Sequence, residues 1–83
     1  MKITVRYFAS IREALGQGSE ALDTTAPTLG ALRDELLARG GDYAQALARG
    51  KAVRMALNQA LSDEQAVLLE GAEVAFFPPV TGG

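Results

Sequence analysis

Apolar and polar residues alternate along several short stretches of the chain. From Lys2 to Tyr7 every second residue is apolar, residues 53–57 alternate in the same way, and residues 73–77 form a short apolar stretch. These patterns predict strands, the first two with one buried face. A further strand is predicted at residues 20–25, between a Gly-Ser pair and a proline. Asn58 and Gln59 predict a turn, because asparagine tolerates a left-handed backbone.

A helical pattern of leucines lies between the strands predicted at residues 20–25 and 53–57. The leucines between Leu29 and Arg39 recur at offsets of three, seven and eight residues, as on one face of a helix. Thr28 is placed to cap this helix, and Gly40 follows its last turn. Glu35 lies four residues before Arg39, the favourable orientation for a side-chain pair. The pattern therefore predicts one main helix over residues 29–39.

Shorter features are predicted elsewhere in the chain. Ser10 and Glu13 have the spacing of a capping box, which predicts one or two helical turns ending at Gly16. Leu68 and Leu69 precede a Glu-Gly-Ala turn and are expected to pack under it. The helices are few and strands lie at both ends of the chain. The predicted fold class is therefore α+β, a mixed sheet with one main helix packed on one face.

Two phenylalanines fall on the side of the sheet that this helix would leave open. Phe8 and Phe77 share the side otherwise taken by Lys2, Thr4 and Arg6. If the first and last strands are neighbours, these two rings form an exposed apolar patch, which is typical of a partner-binding surface. The alternative is that Phe8 bends into the core and that the tail or a loop covers Phe77.

Composition narrows the possible chemistry. The 83 residues include no Cys, His or Trp, which excludes disulfides, zinc, haem and iron–sulfur sites, and catalysis by Ser-His-Asp or Cys-His groups. Eight basic residues against ten acidic ones give no field for binding nucleic acid. No stretch is long enough for a membrane helix, and the charged N-terminus is unlike a signal peptide, so we expect a cytoplasmic protein.

The last six residues differ from the rest of the chain. Pro78 and Pro79 end the strand and hold the chain extended, and Gly82 and Gly83 make its tip as slim as possible. Fully extended, the tail spans about 20 Å, enough to enter a cleft in another protein. We therefore predict a folded domain over residues 1–77 and a reactive tail over 78–83. A frayed, inert glycine-rich terminus is the alternative.

Three segments resemble one family. The ending E-V-A-F-F-P-P-V-T-G-G, from Glu73 to Gly83, is similar to the C-terminus of the small, sulfur-carrier subunits of molybdopterin synthase. The stretch Val5–Glu13 resembles the family's first strand and helix, and Ala56–Gln59 resembles its central strand and turn. The resemblance covers essentially the whole chain and implies a ubiquitin-like β-grasp fold.

The resemblance also implies a reaction cycle. A ubiquitin-activating-type adenylyltransferase would use ATP and magnesium to adenylate Gly83, and a sulfur-donating sulfurtransferase would convert it to a thiocarboxylate. The tail would then enter the large subunit of a heterotetramer of two small and two large subunits. There it would donate sulfur to cyclic pyranopterin monophosphate and form the molybdopterin dithiolene. No cofactor would be bound by this chain itself, which would not be an enzyme on its own.

The same resemblance assigns roles to individual residues. Gly83 is the reacting position and Gly82 its slim neighbour. The expected partner-binding residues are Phe8, Phe77, Pro78, Pro79, Val80 and Thr81. The alternatives are a sulfur carrier for another pathway such as thiazole synthesis, a ubiquitin-like protein modifier, or an interaction domain with an inert tail.

Overall fold

The computed structural model describes residues 1–79. Five strands and three helices follow one another through these residues, and the longest connection lies between the last two strands. The elements are β1 (Lys2–Tyr7), α1 (Ala9–Leu15), β2 (Ser19–Asp23), α2 (Leu29–Leu37), α3 (Gly41–Ala46), β3 (Arg54–Leu57), β4 (Ala60–Ser62) and β5 (Glu73–Phe77).

The strands form one mixed sheet in the order β2-β1-β5-β3-β4. β1 and β5 are parallel and lie next to each other, with Tyr7 opposite Phe76, and every other neighbouring pair is antiparallel. The first and last strands are thus neighbours, as the Phe8–Phe77 hypothesis required. A hairpin at Asn58 and Gln59, both with positive φ, joins β3 to β4, which confirms the predicted turn.

The core lies on one face of the sheet, beneath the helices. The alternating apolar residues of β1 and β5 meet the leucines of α2 there, and α1 and α3 add one buried residue each. The largest fully buried side chains are Tyr7, Phe76, Leu29, Leu32, Leu36, Leu47, Val5 and Val74. The α+β class, with helices packed on one face of a mixed sheet, is confirmed.

Helix ends show where local signals decide the structure. The side chain of Thr28 accepts a hydrogen bond from the N–H of Ala31, as a cap should, and Gly16 ends α1 with a φ of 73°. The predicted capping box at Ser10 is wrong. Phe8 is the N-cap of α1, and its side chain has no oxygen with which to cap the helix. The helix starts at Ala9 because the N–H of Phe8 donates to the carbonyl of Phe76, which keeps the chain extended up to that residue.

Several predicted boundaries and contacts are also corrected. α2 ends at Leu37 rather than Arg39, β2 covers 19–23 rather than 20–25, and β3 starts at Arg54. The hydroxyl of Thr24 donates to Glu35 and accepts from the N–H of Ala26, so the chain turns away from the sheet after Asp23. Leu68 is buried as expected, but Leu69 is 70% exposed.

The predicted Glu35–Arg39 pair does not form. Glu35 accepts from the hydroxyl of Thr24 at 2.7 Å, and Arg39 pairs with Glu20 at 2.9 Å. Arg39 thereby meets a carboxylate that is only 16% exposed, whereas the carboxylate of Glu35 stays on the exposed surface of α2 and accepts from the hydroxyl of Thr24. A partly desolvated pair is stronger than an exposed one, so tertiary partners win over the neighbour along the helix.

Glu20 is the centre of a polar cluster between β2 and the helices. Its carboxylate accepts hydrogen bonds from the hydroxyls of Tyr7 and Tyr43 at 2.8 and 3.0 Å, from Gln17 at 3.0 Å and from Arg39. Burial opposes ionisation, but the hydrogen bonds from Tyr7, Arg39 and Tyr43 outweigh it, and the pKa of Glu20 lies below its ordinary value of 4.5. The charged carboxylate therefore stabilises the fold.

A carboxyl group with a lowered pKa makes the fold sensitive to acid. Stability contributed by Glu20 is complete above about pH 4.5 and is lost as the pH falls through the lower pKa of the folded state. We expect Glu20→Gln to be less stable than the wild type at neutral pH and to lose less of its stability on acidification. Urea unfolding at pH 7 and at about pH 3 measures the difference. Glu13→Gln, at an exposed carboxylate, is the control, and an equal acid response in both variants would contradict the prediction.

Candidate functional site

The predicted partner-binding residues meet where the two central strands end. Phe8 follows β1 and keeps an extended backbone, and its N–H donates to the carbonyl of Phe76 at 3.1 Å. The parallel ladder therefore runs one residue further than the strand itself. Since Tyr7 lies opposite Phe76, Phe8 lies beside Phe77 on the face of the sheet away from the helices.

The exposure of these residues decides between the two readings of Phe8. Its side chain is 40% exposed and does not bend into the core. The guanidinium of Arg6 lies 5.5 Å from the centre of its ring, a cation–π distance. Phe77, Pro78 and Pro79 are half-buried. The structure thus places both phenylalanines on the open face.

A third apolar residue belongs to this face. Leu61 lies opposite Ala56 in the β3–β4 hairpin, and Ala56 lies opposite Ala75 in the β3–β5 ladder. Directly opposed residues of antiparallel strands point to the same side, so Leu61 shares the open face with Ala75 and is 69% exposed. The sequence does hold a signal for Leu61. If residues are paired outward from the Asn58–Gln59 turn, Leu61 falls opposite Ala56 and therefore on the open face.

We define the open-face patch as Phe8, Ala56, Leu61, Ala75 and Phe77. Ala56 lies on β3, between Leu61 on β4 and Ala75 on β5. Ala56 and Ala75 are small, so they form a low floor between the larger Leu61 and the two phenylalanines. The patch borders the end of β5, where Pro78 and Pro79 leave the sheet. A protein that received the tail would therefore meet this apolar surface directly beside it.

The remaining predicted site residues are Val80, Thr81, Gly82 and Gly83, and they lie outside the described residues. Their roles stay predictions. Within residues 1–79, no group of three or more His, Cys, Asp or Glu side chains is arranged to hold a metal ion. No helix in this part of the chain is long and apolar enough to cross a membrane.

The chain also matches known proteins over nearly its whole length. A sequence model of the ThiS family matches residues 5–83. The chain belongs to the ThiS family. A molybdopterin synthase sulfur carrier subunit from Escherichia coli (strain K12) is 43% identical to this ThiS-family chain over 81 residues, which make up 98% of this chain and 99% of that relative. The resemblance to such subunits is thereby confirmed beyond the segments that first suggested it.

Solved structures agree with the fold. A complex of subunits 1 and 2 of molybdopterin-converting factor from Helicobacter pylori 26695 contains a chain that is 26% identical to the ThiS-family chain, with a TM-score of 0.71 and full coverage of both. SAMP1 from Haloferax volcanii matches with a TM-score of 0.77 at 22% identity, again with full coverage of both. The latter likeness shows the fold alone. The ubiquitin-like β-grasp fold predicted for this ThiS-family chain is confirmed.

Proposed function

We propose that the chain is the sulfur-carrier subunit of a molybdopterin synthase. The observation that carries the proposal is the 43% identity, over almost the full length of both chains, to a relative that bears this name. The open-face patch supports it, because an apolar surface beside the exit of the tail suits a chain that is handed from one partner to another. Catalytic groups would then reside in the partners.

The chemistry of the proposed cycle acts on the carboxylate of Gly83. Attack of this carboxylate on the α-phosphorus of ATP forms an acyl-adenylate and releases pyrophosphate, with magnesium neutralising the phosphates in the activating enzyme. A sulfide equivalent from a sulfurtransferase then attacks the acyl carbon and displaces AMP, which leaves a thiocarboxylate. Activation is required because a free carboxylate is a poor electrophile.

The chain that carries the thiocarboxylate would next dock with the large subunit. The open-face patch would lie against that subunit while the tail enters its active site, where the thiocarboxylate sulfur passes to cyclic pyranopterin monophosphate. The sulfur would bond to a pterin carbon in place of an oxygen substituent, which forms a thioester with Gly83. Water would then attack the acyl carbon and break its bond to sulfur, so that the sulfur stays on the pterin and Gly83 leaves as a free carboxylate. Two such transfers would supply the two sulfurs of one dithiolene. Pro78 and Pro79 would keep the tail extended as it enters, since each proline holds φ close to −65°. The assembly proposed is two small and two large subunits.

None of the three alternative functions has an observation in its favour of equal weight. The match to the ThiS family assigns no pathway by itself, whereas the relative at 43% identity is a molybdopterin synthase sulfur carrier subunit. SAMP1 is a small archaeal modifier protein, but it is only 22% identical to this chain. That likeness shows the fold alone and gives no support to a protein-modifier role. The cytoplasmic location stays a prediction from the N-terminal charges.

Intact-mass measurement tests the first half of the cycle. The full chain is incubated with the adenylyltransferase from its own organism, ATP, magnesium and a sulfur source. We expect one oxygen of the terminal carboxylate to be replaced by sulfur, and the product to support dithiolene formation when the large subunit and pterin precursor are added. An unchanged mass with an enzyme that is active on ATP would contradict every carrier role, and lysine-linked adducts would favour a modifier.

A further inference from the structure

Two arginines border the open-face patch on opposite sides of β5. Arg54 on β3 lies directly opposite Phe77, and Arg6 on β1 lies opposite Ala75. Neighbouring strands are about 4.8 Å apart, and the two arginines are offset by two residues along β5, so the backbones that carry them are separated by about 12 Å, with β5 between them. The apolar contact surface therefore has a positive charge on each flank.

Both arginines are without an ionic partner among residues 1–79. Three of the four arginines on the helical side of the molecule have one, since Arg39 pairs with Glu20, and Arg33 and Arg49 both pair with Glu64. Arg12 on α1 is the exception among residues 1–79. Arg6 and Arg54 are exposed and form no side-chain hydrogen bond or ion pair within the described chain. Cations beside an apolar patch are therefore available to a partner.

The guanidinium of Arg6 is already oriented. It lies 5.5 Å from the centre of the Phe8 ring, and residues two apart on a strand share a face. Holding a long side chain in place before binding reduces the entropy lost when a partner carboxylate meets it. Arg6 is therefore suited to a directed contact as well as to long-range attraction.

We propose that Arg6 and Arg54 select the partner of the open-face patch, and that this partner is the large subunit, which presents a carboxylate to each of them around an apolar contact area. The proposal rests on the proposed function, because the two arginines border the surface assigned to large-subunit docking. Charge pairs at the edge of an interface set orientation and association rate. A partner with lysines at these places would be repelled.

The test compares charge reversals at three positions of the full chain. Arg6→Glu and Arg54→Glu change the flanks of the patch, while Lys2→Glu is the matched control. Lys2 lies on the same face of β1 as Arg6, but about 13 Å away toward the other end of the strand. Each reversal changes the net charge equally, so a purely long-range effect weakens all three alike. Circular dichroism and thermal unfolding confirm that each variant folds.

Binding is measured by isothermal titration with the purified large subunit from the same organism, at about 50 mM and about 300 mM salt. We expect each arginine reversal to raise Kd about tenfold at the lower salt, and less at the higher, because edge charges are screened. Lys2→Glu should raise Kd less than about threefold under the same conditions.

Three results would overturn the inference. Equal loss in Arg6→Glu and Lys2→Glu would leave only net charge as the cause. Unchanged affinity of both arginine variants, with weaker binding of Phe77→Ala, would keep the proposed docking and exclude the paired carboxylates. Weaker binding to the activating enzyme alone would mean that the arginines select a different partner. If the wild type does not bind the large subunit at all, the proposed function fails as well.

Discussion

Deleting Gly83 will abolish thiocarboxylate formation and sulfur transfer while the domain keeps its stability. The reacting group of the proposed cycle is the carboxylate of the last residue, and the shortened tail would present Gly82 one residue short of the partner's active site. A displacement of one residue, about 3.3 Å, is larger than the tolerance of a bond-forming step. We expect the rate of product formation to fall more than a hundredfold, as measured by intact mass and by dithiolene formation.

The control for this deletion separates chemistry from folding. The thermal midpoint should change by less than about 2 °C, since the last buried residue among residues 1–79 is Phe76. Gly83→Leu keeps the length of the tail but crowds the attacked carbonyl, and should fail in the same assays. A large drop in the midpoint would show that the tail is structural, and normal sulfur transfer by the deletion variant would refute the assignment of Gly83.

Phe77→Ala will weaken binding to the large subunit about 30- to 100-fold, equivalent to about 2 to 3 kcal/mol. Phe77 is flanked by Phe8 beside one edge of β5 and by Arg54 opposite it on β3, so a partner seated on the open-face patch would surround its ring. Aromatic residues at the middle of an interface, surrounded by contacts that exclude water, dominate binding energy. Titration calorimetry of the full chain against the purified large subunit measures the loss.

Leu69→Ala is the matched control for Phe77→Ala. Leu69 is 70% exposed, so its replacement by alanine also removes apolar surface. It precedes the turn in which the N–H of Gly71 donates to the carbonyl of Lys2, and Lys2 lies at the end of β1 away from the patch. We expect Leu69→Ala to bind the large subunit with unchanged affinity. If Phe77→Ala bound normally yet unfolded at a much lower denaturant concentration, Phe77 would belong to the core instead of the interface.

The predictability of the fold follows the range of the interactions involved. Thr28 and Gly16 were assigned correctly, because a cap depends on the few residues around it. Ser10 was assigned wrongly, because the ladder between Phe8 and the distant Phe76 moved the start of α1. Glu35 likewise took its partner from another element, which helical spacing alone could not indicate.

The residues of the candidate site also separate into those that local sequence patterns indicate and those that depend on strand pairing. Phe8 and Phe77 stood out in the sequence, since an apolar residue on the polar side of an alternation is a local signal. Leu61 was missed, because β4 has only three residues and a period of two is hardly visible over so short a strand. The flanking positions of Arg6 and Arg54 depend on β5, which comes last in the chain yet pairs between their strands.

By itself, then, the sequence determined the alternating strands, the one-sided main helix, the family and the slim glycine tail. These features are encoded in residues close together along the chain, whose backbone preferences and burial do not depend on distant partners. The tertiary structure alone decided which strands are neighbours, and hence that Leu61, the two phenylalanines and two arginines share one surface, where neither arginine has an ionic partner within residues 1–79. Strand pairing is set by the summed free energy of contacts between remote segments, which local patterns do not contain.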